Sequence, residues 1–170
     1  MKLGFAGLLA LGLSLCVSGA ALAQFAADDP DWKESETPLP PAFNAGKLIQ
    51  FEVSPTSSLV YGVDPASIRI SQRDGVVRYV VVASSASGAS NVMYEGLRCS
   101  TGQVKTYARH SESGGWKSLE RAEWTSLFGS ASHRHSLAFA KAGACDNKVV
   151  PDSVDALVRR LKNPALLGAQ

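Results

Sequence analysis

The chain has little of what usually announces a chemistry. It holds three cysteines in 170 residues and no Cys-x-x-Cys pair, which leaves no zinc-ribbon or thioredoxin-type signature. No Gly-x-x-x-x-Gly-Lys-Ser/Thr or Gly-x-Gly-x-x-Gly spacing is present, so the familiar phosphate-cradling loops are absent. No Gly-x-Ser-x-Gly nucleophile elbow occurs either. No run of five like charges exists and the formal net charge is only +2; a clustered basic face for nucleic acid is therefore missing. There is no internal repeat. The apolar N-terminal stretch falls short of the roughly 20 residues a spanning helix needs, and Ser and Gly interrupt it.

That stretch has a different meaning. Met1-Lys2 carries a positive charge, residues 3–17 are apolar and small, and residues 18–23 (SGAALA) end in Ala21-Leu22-Ala23. This is the order of a secretory signal peptide with an A-x-A cleavage site. Cleavage near Ala23 is expected, leaving a periplasmic or secreted protein that begins at Gln24. Its membrane contact is then limited to the signal peptide before cleavage. Cys16 does not make a lipoprotein, because Leu15 is too bulky for the position before a lipidated cysteine.

With Cys16 removed, Cys99 and Cys145 remain in an oxidising compartment, and a disulfide between them is the natural reading. The competing reading, a reactive or metal-binding pair, has no Cys-x-x-Cys and no local His-Cys pairing behind it.

Residues 24–46 mix acids, prolines and isolated aromatics. Pro38, Pro40 and Pro41 forbid a regular helix or central strand, so this is expected to be an extended arm lying on the domain through Trp32 and Phe43. Residues 47–164 read as one α+β domain, and 165–170 as a C-terminal tail. KLIQFEV (47–53) alternates apolar and polar residues as a half-buried strand does. LVYGV (59–63) and SIRIS (67–71) follow, and Asp74-Gly75 marks a hairpin turn. VVRYVVVA (76–83) is apolar on both faces apart from Arg78, which suits a central strand covered on both sides.

The chain is organised around NVMYEGLRCSTGQVKTYAR (91–109), two strands joined by a turn at Ser100-Thr101-Gly102. Strict alternation puts Met93, Glu95, Leu97 and Cys99 on one face of the first strand. It puts Val104, Thr106, Ala108 and His110 opposite Lys105, Tyr107 and Arg109 in the second. Gly115-Trp116-Lys117 reads as a brief edge strand. Leu119, Ala122, Glu123 and Ser126-Leu127 fit a short helix, with Gly129 ending it. Residues 132–144 form a second short helix or an irregular segment delivering Cys145. The last helix shows Val154, Leu157, Val158 and Leu161 at helical spacing and stops at Asn163-Pro164. Strands first and helices last imply an antiparallel β-sheet meander followed by short helices and a C-terminal helix.

Tyr94-Glu95-Gly96-Leu97-Arg98-Cys99, then Lys105, Tyr107-Ala108, Trp116 and Trp124, resembles the family named after a cryptic neisserial protein. Asp31-Trp32-Lys33-Glu34 and Leu39-Pro40 look like that family's start. The likeness runs from about residue 31 to 161. It implies a small exported cell-envelope domain, as in betaproteobacteria, and supplies no catalytic residue.

Three groups of residues are candidates for function. The first is the face of Tyr94, Arg98, Lys105, Tyr107 and Arg109, where aromatic and basic side chains interleave. Such a face can anchor an envelope protein or an anionic envelope component. The bland reading is cross-strand stacking. The second is Glu95 with His133 and His135, the basis of an alternative reading as a small envelope hydrolase using a carboxylate and a histidine. The third, metal binding by His133 and His135, lacks the three or four ligands zinc needs; no metal and no cofactor is implied. A non-catalytic binding or envelope-associated module is the expected function.

Overall fold

The β-prone runs come together as one antiparallel sheet. In the computed structural model, which describes residues 29–165, eight strands form: β1 (Ile49–Phe51), β2 (Leu59–Val63), β3 (Arg69–Ser71), β4 (Val76–Ser85), β5 (Ser90–Arg98), β6 (Gln103–Ser111), β7 (Gly115–Ser118) and β8 (Thr125–Ser126). Their spatial order is β1-β2-β4-β5-β6-β7, with β3 also on β4 and β8 also on β6. The signal peptide, the start of the arm (24–28) and the tail (166–170) lie outside the described residues.

β4 is the middle of the sheet, and its first eight residues are buried. Val77, Tyr79 and Val81 point into the larger core, while Val80 and Val82 point into a smaller cluster on the other face. Two apolar faces require two covers. One is a helical layer: α1 (Arg134–Phe139), continued by a π turn (Ala140–Ala144), and α2 (Val154–Lys162). The π turn packs closely on α2, where a Cβ on Gly143 would come within 2.7 Å of Arg160. α2 starts on Ser153, which accepts from the Ala156 amide at 3.2 Å, and ends in Arg159, Arg160 and Lys162. Those cations in the last turn, and Asp155 in the first, suit the two ends of the helix dipole. Leu157 and Leu161 fill the core beneath it. A disulfide joins Cys99, just past β5, to Cys145 at the exit of the π turn, with the Cα atoms 5.5 Å apart.

The other cover is the arm, residues 29–44, which has no helix or strand of its own. Phe43 wedges against His110 and Trp116, with ring centroids 5.2 and 5.9 Å away.

Two expectations are corrected. The helix read around Leu119 and Ala122 does not form. β7 runs to Ser118, the Leu119 amide extends the ladder to the Tyr107 carbonyl at 2.9 Å, and β8 follows. Trp124 sets this path by packing edge-on against Trp32 at 5.8 Å and Tyr107 at 6.5 Å. The strict alternation of β6 also breaks. Tyr94 opposes Ala108, but Glu95 opposes Thr106, so Tyr107 is the extra residue of a bulge. One extra residue turns every following side chain over. Ala108 and His110 therefore join the arm side, and Arg109, opposite Met93, goes to the helix side.

Candidate functional site

Three places bring chemically active side chains together. The first lies under the arm. Tyr94 and Arg98 are almost fully buried there, and Lys105 and Tyr107 flank them. Glu34 of the arm is the hub. It accepts from Tyr107 Oη at 2.6 Å, Lys105 Nζ at 2.8 Å, Trp124 Nε1 at 3.1 Å and Arg78 at 3.4 Å. Tyr107 reaches it because its ring lies over Gly96, where any Cβ would collide with it. The Arg98 guanidinium sits 3.7 Å from the Trp32 ring, and Trp32 Nε1 donates to the Asp74 carbonyl at 2.9 Å. Burial alone would raise the pKa of Asp74. Hydrogen bonds from Arg78, Ser71 and the Ser35 amide, with the charge of Arg78, instead hold it down to about 2. Glu34 behaves alike: burial opposes its charge, and bonds from Lys105 and Tyr107 with the Lys105 charge more than offset this, so its pKa is lowered. Four of the five residues of the aromatic and basic face thus hold the chain's own arm. Arg109 stands apart on the opposite face and donates to Asn91 at 3.3 Å.

Glu34→Ala is expected to leave Tyr107, Lys105 and Trp124 without this acceptor, while Arg78 keeps Asp74, at a cost on the order of 2 kcal/mol. Trypsin cutting after exposed Lys33 should then speed up by about thirtyfold. Unchanged cutting would mean that Trp32 and Phe43 hold the arm by themselves.

The second place is on the helix side of the sheet. Glu95 accepts from Tyr79 Oη at 2.9 Å, from Ser136 Oγ and His135 Nε2 at 3.1 Å each, and from Thr106 Oγ1 at 3.2 Å. Burial would push the Glu95 pKa up, but the bond and charge of His135 and the bonds of Tyr79 and Ser136 prevail and lower it. His135 stacks on Tyr61, with the planes 5° apart. So Glu95 and His135 do converge. Ser136, however, donates to the carboxylate and not to the imidazole, which is not the order of a nucleophile–base–orienter relay. Glu95 is 1% exposed and His135 7%.

The other histidines lie elsewhere. His133 closes a 3-10 turn (Ala131–His133) ahead of α1, and its Nδ1 contacts the Ser126 carbonyl at 3.1 Å. His110 is on the arm side against Phe43. Among the described residues no group of three or more His, Cys, Asp or Glu side chains is placed to hold a metal ion.

The third place was not singled out in the sequence. A groove of about 580 Å³ runs between residues 50–53, at the end of β1, and the helices. Phe51, Val53, Leu137 and Leu161 give it apolar walls, and Arg134, Lys141 and Arg160 give it cations against one carboxylate, Glu52. Arg160 also donates to Asp146 at 2.9 Å; Arg134 and Lys141 are exposed. A shallower depression of about 290 Å³ shares residues 50–53 and continues past Tyr61. The only sequence signal is the spacing of Arg134, Leu137, Ala138 and Lys141, which puts a basic and apolar stripe on one helical face.

Among the described residues, no helix is long and apolar enough to cross a membrane. A family model described as the CNP1-like family matches residues 27–162. No curated protein and no solved structure matches the chain. The match spans most of the sequence, and the chain belongs to the CNP1-like family.

Proposed function

We propose that this member of the CNP1-like family is an exported, non-catalytic binding module of the cell envelope. Its ligand site is the groove between β1 and the helices, and its ligand joins negative charge to apolar surface. The observation that carries the reading is that one groove combines apolar walls with Arg134, Lys141 and Arg160. Its volume, about 580 Å³, falls in the usual range for ligand sites. The leader pattern of residues 1–23 supports export, as does a disulfide between the two remaining cysteines. The aromatic and basic face is a poorer site, because Glu34 and Trp32 of the same chain already fill it.

A second reading, a small envelope hydrolase, has one observation in its favour: the Glu95–His135 contact at 3.1 Å. The burial of both groups and the four donors committed to Glu95 favour a structural role for that pair.

The test uses 8-anilinonaphthalene-1-sulfonate, an anion on an apolar frame. Its fluorescence should rise saturably with the native protein. The exposed-site variant Arg134→Glu/Lys141→Glu should weaken binding by about tenfold or more without lowering Tm. Arg109→Glu, outside the groove, should change nothing. Equal binding by all three proteins would remove the groove as the site.

A further inference from the structure

We infer that the ligand of this groove is an extended acidic peptide, from a partner protein, that adds as a strand to the free edge of β1. The inference rests on the groove reading above and makes it specific.

Three observations converge on it. First, β1 ends the sheet. It pairs with β2 through Ile49↔Val63, Gln50↔Gly62 and Phe51↔Tyr61. Among the described residues the backbone of 50–53 has no hydrogen bond beyond that ladder. A terminal strand of this kind offers a row of N–H and C=O groups to any extended chain.

Second, the concavity is elongated. Both depressions are lined by the same residues, 50–53, and extend from them in two directions, one to the helices and one past Tyr61. A compact small molecule would use one of them. The smaller lies on the paired side of β1, against Leu59, Val60 and Tyr61 of β2, so a chain along the free edge uses the larger and meets the smaller only at the turn of residues 52–58.

Third, the helical wall carries a pattern. Arg134 and Lys141 are two turns apart, about 10 Å along the axis, with Leu137 and Ala138 between them, and all four line the groove. In an added strand, side chains facing the helices recur every second residue, and two that are four residues apart lie about 13 Å apart. The long Arg and Lys side chains cover the difference. The matching sequence is therefore acid, any residue, apolar, any residue, acid. Glu52 at the end of β1 lines the same groove and opposes a third acid there.

The test measures fluorescence anisotropy of a labelled seven-residue peptide with glutamates at its second and sixth positions, valine at the fourth and threonine elsewhere. Three comparison probes are used: the same peptide with lysines for the glutamates, the acidic peptide N-methylated at alternate amides, and vesicles containing dodecyl phosphate. Saturable binding of the acidic peptide is expected, weakened about tenfold or more by the lysine exchange and by N-methylation. The protein variant Lys141→Glu should narrow or reverse the preference for glutamate over lysine. Equal binding of the N-methylated peptide would overturn strand addition. Binding of dodecyl phosphate vesicles through Arg134 and Lys141, with no binding of the acidic peptide, would overturn the peptide class and leave the groove standing. Failure of the peptides, the vesicles and the anilinonaphthalene probe together would overturn both readings.

Discussion

Replacing Cys99 and Cys145 together by alanine is expected to destabilise the protein by about 4 kcal/mol, roughly 10 °C or more in Tm for a domain of this size. The bridge spans 46 residues, and that closed loop contains β6, β7, β8, α1 and the π turn. Without the bridge the unfolded chain gains the freedom of the whole loop. The native state loses the tie between the end of β5 and the start of the segment leading to α2. That segment is otherwise anchored by an isolated bridge between Asp146 and Val149, the Arg160–Asp146 contact, buried Val150 and Gln72, which donates to the Pro151 carbonyl at 3.0 Å. Thermal melts of the double variant, and of the native protein with and without reductant, test this. The reduced native protein should approach the variant. A loss of only a degree or two would show that the core contacts of Phe139, Ala144 and Leu127 hold the helical layer in place on their own.

The disulfide and the sheet were legible because each rests on a local rule: two cysteines left after a leader-like N-terminal pattern, and period-two alternation bounded by turn residues. The C-terminal helix was legible for the same reason, from Val154 to Leu161 with Ser153 before them. Residues 29–44 form no helix or strand, as three prolines close together leave few other options. What the sequence hid depends on registration between strands. Nothing in QVKTYARHS says that Tyr107 is an extra residue; that emerges only when Tyr94 meets Ala108 and Glu95 meets Thr106. The bulge separates Arg109 from Tyr107 and breaks up the five-residue face. The apparent helix near Leu119 failed for a similar reason, because Trp124 packs on the arm and the sheet face rather than along a helix. Glu95 could be flagged as a carboxylate on the face of Cys99, but its partners come from three separate elements, β4, β6 and α1. The groove was the least legible, being formed by a strand end and two helices far apart in sequence.

Glu95→Gln is expected to cost on the order of 3 kcal/mol at neutral pH, with a loss that shrinks in acid. The carboxylate is acceptor-only and receives Tyr79, Thr106, His135 and Ser136. The amide offers one acceptor oxygen and brings two donors into a ring of donors. A buried group left without its partner costs more than the bond itself was worth. The pH dependence follows from the sign of the shift. The folded-state pKa of Glu95 lies below its ordinary value of 4.5, so the native state releases this proton more readily than the unfolded chain does. The resulting stabilisation is complete above the unfolded pKa and disappears as pH falls through the folded one. Asp74, with an ordinary value of 3.8 brought down to about 2, gives both proteins an acid limb of its own, as does Glu34. The difference between native and variant curves removes those two limbs and leaves Glu95 with its partner His135. Urea titrations at a series of pH values from about 7 down to about 3 should show that difference narrowing below about pH 4.5. A gap that stays constant to the lowest pH would assign the loss to packing around Tyr79 and His135, and the buried charge would then contribute nothing to the fold.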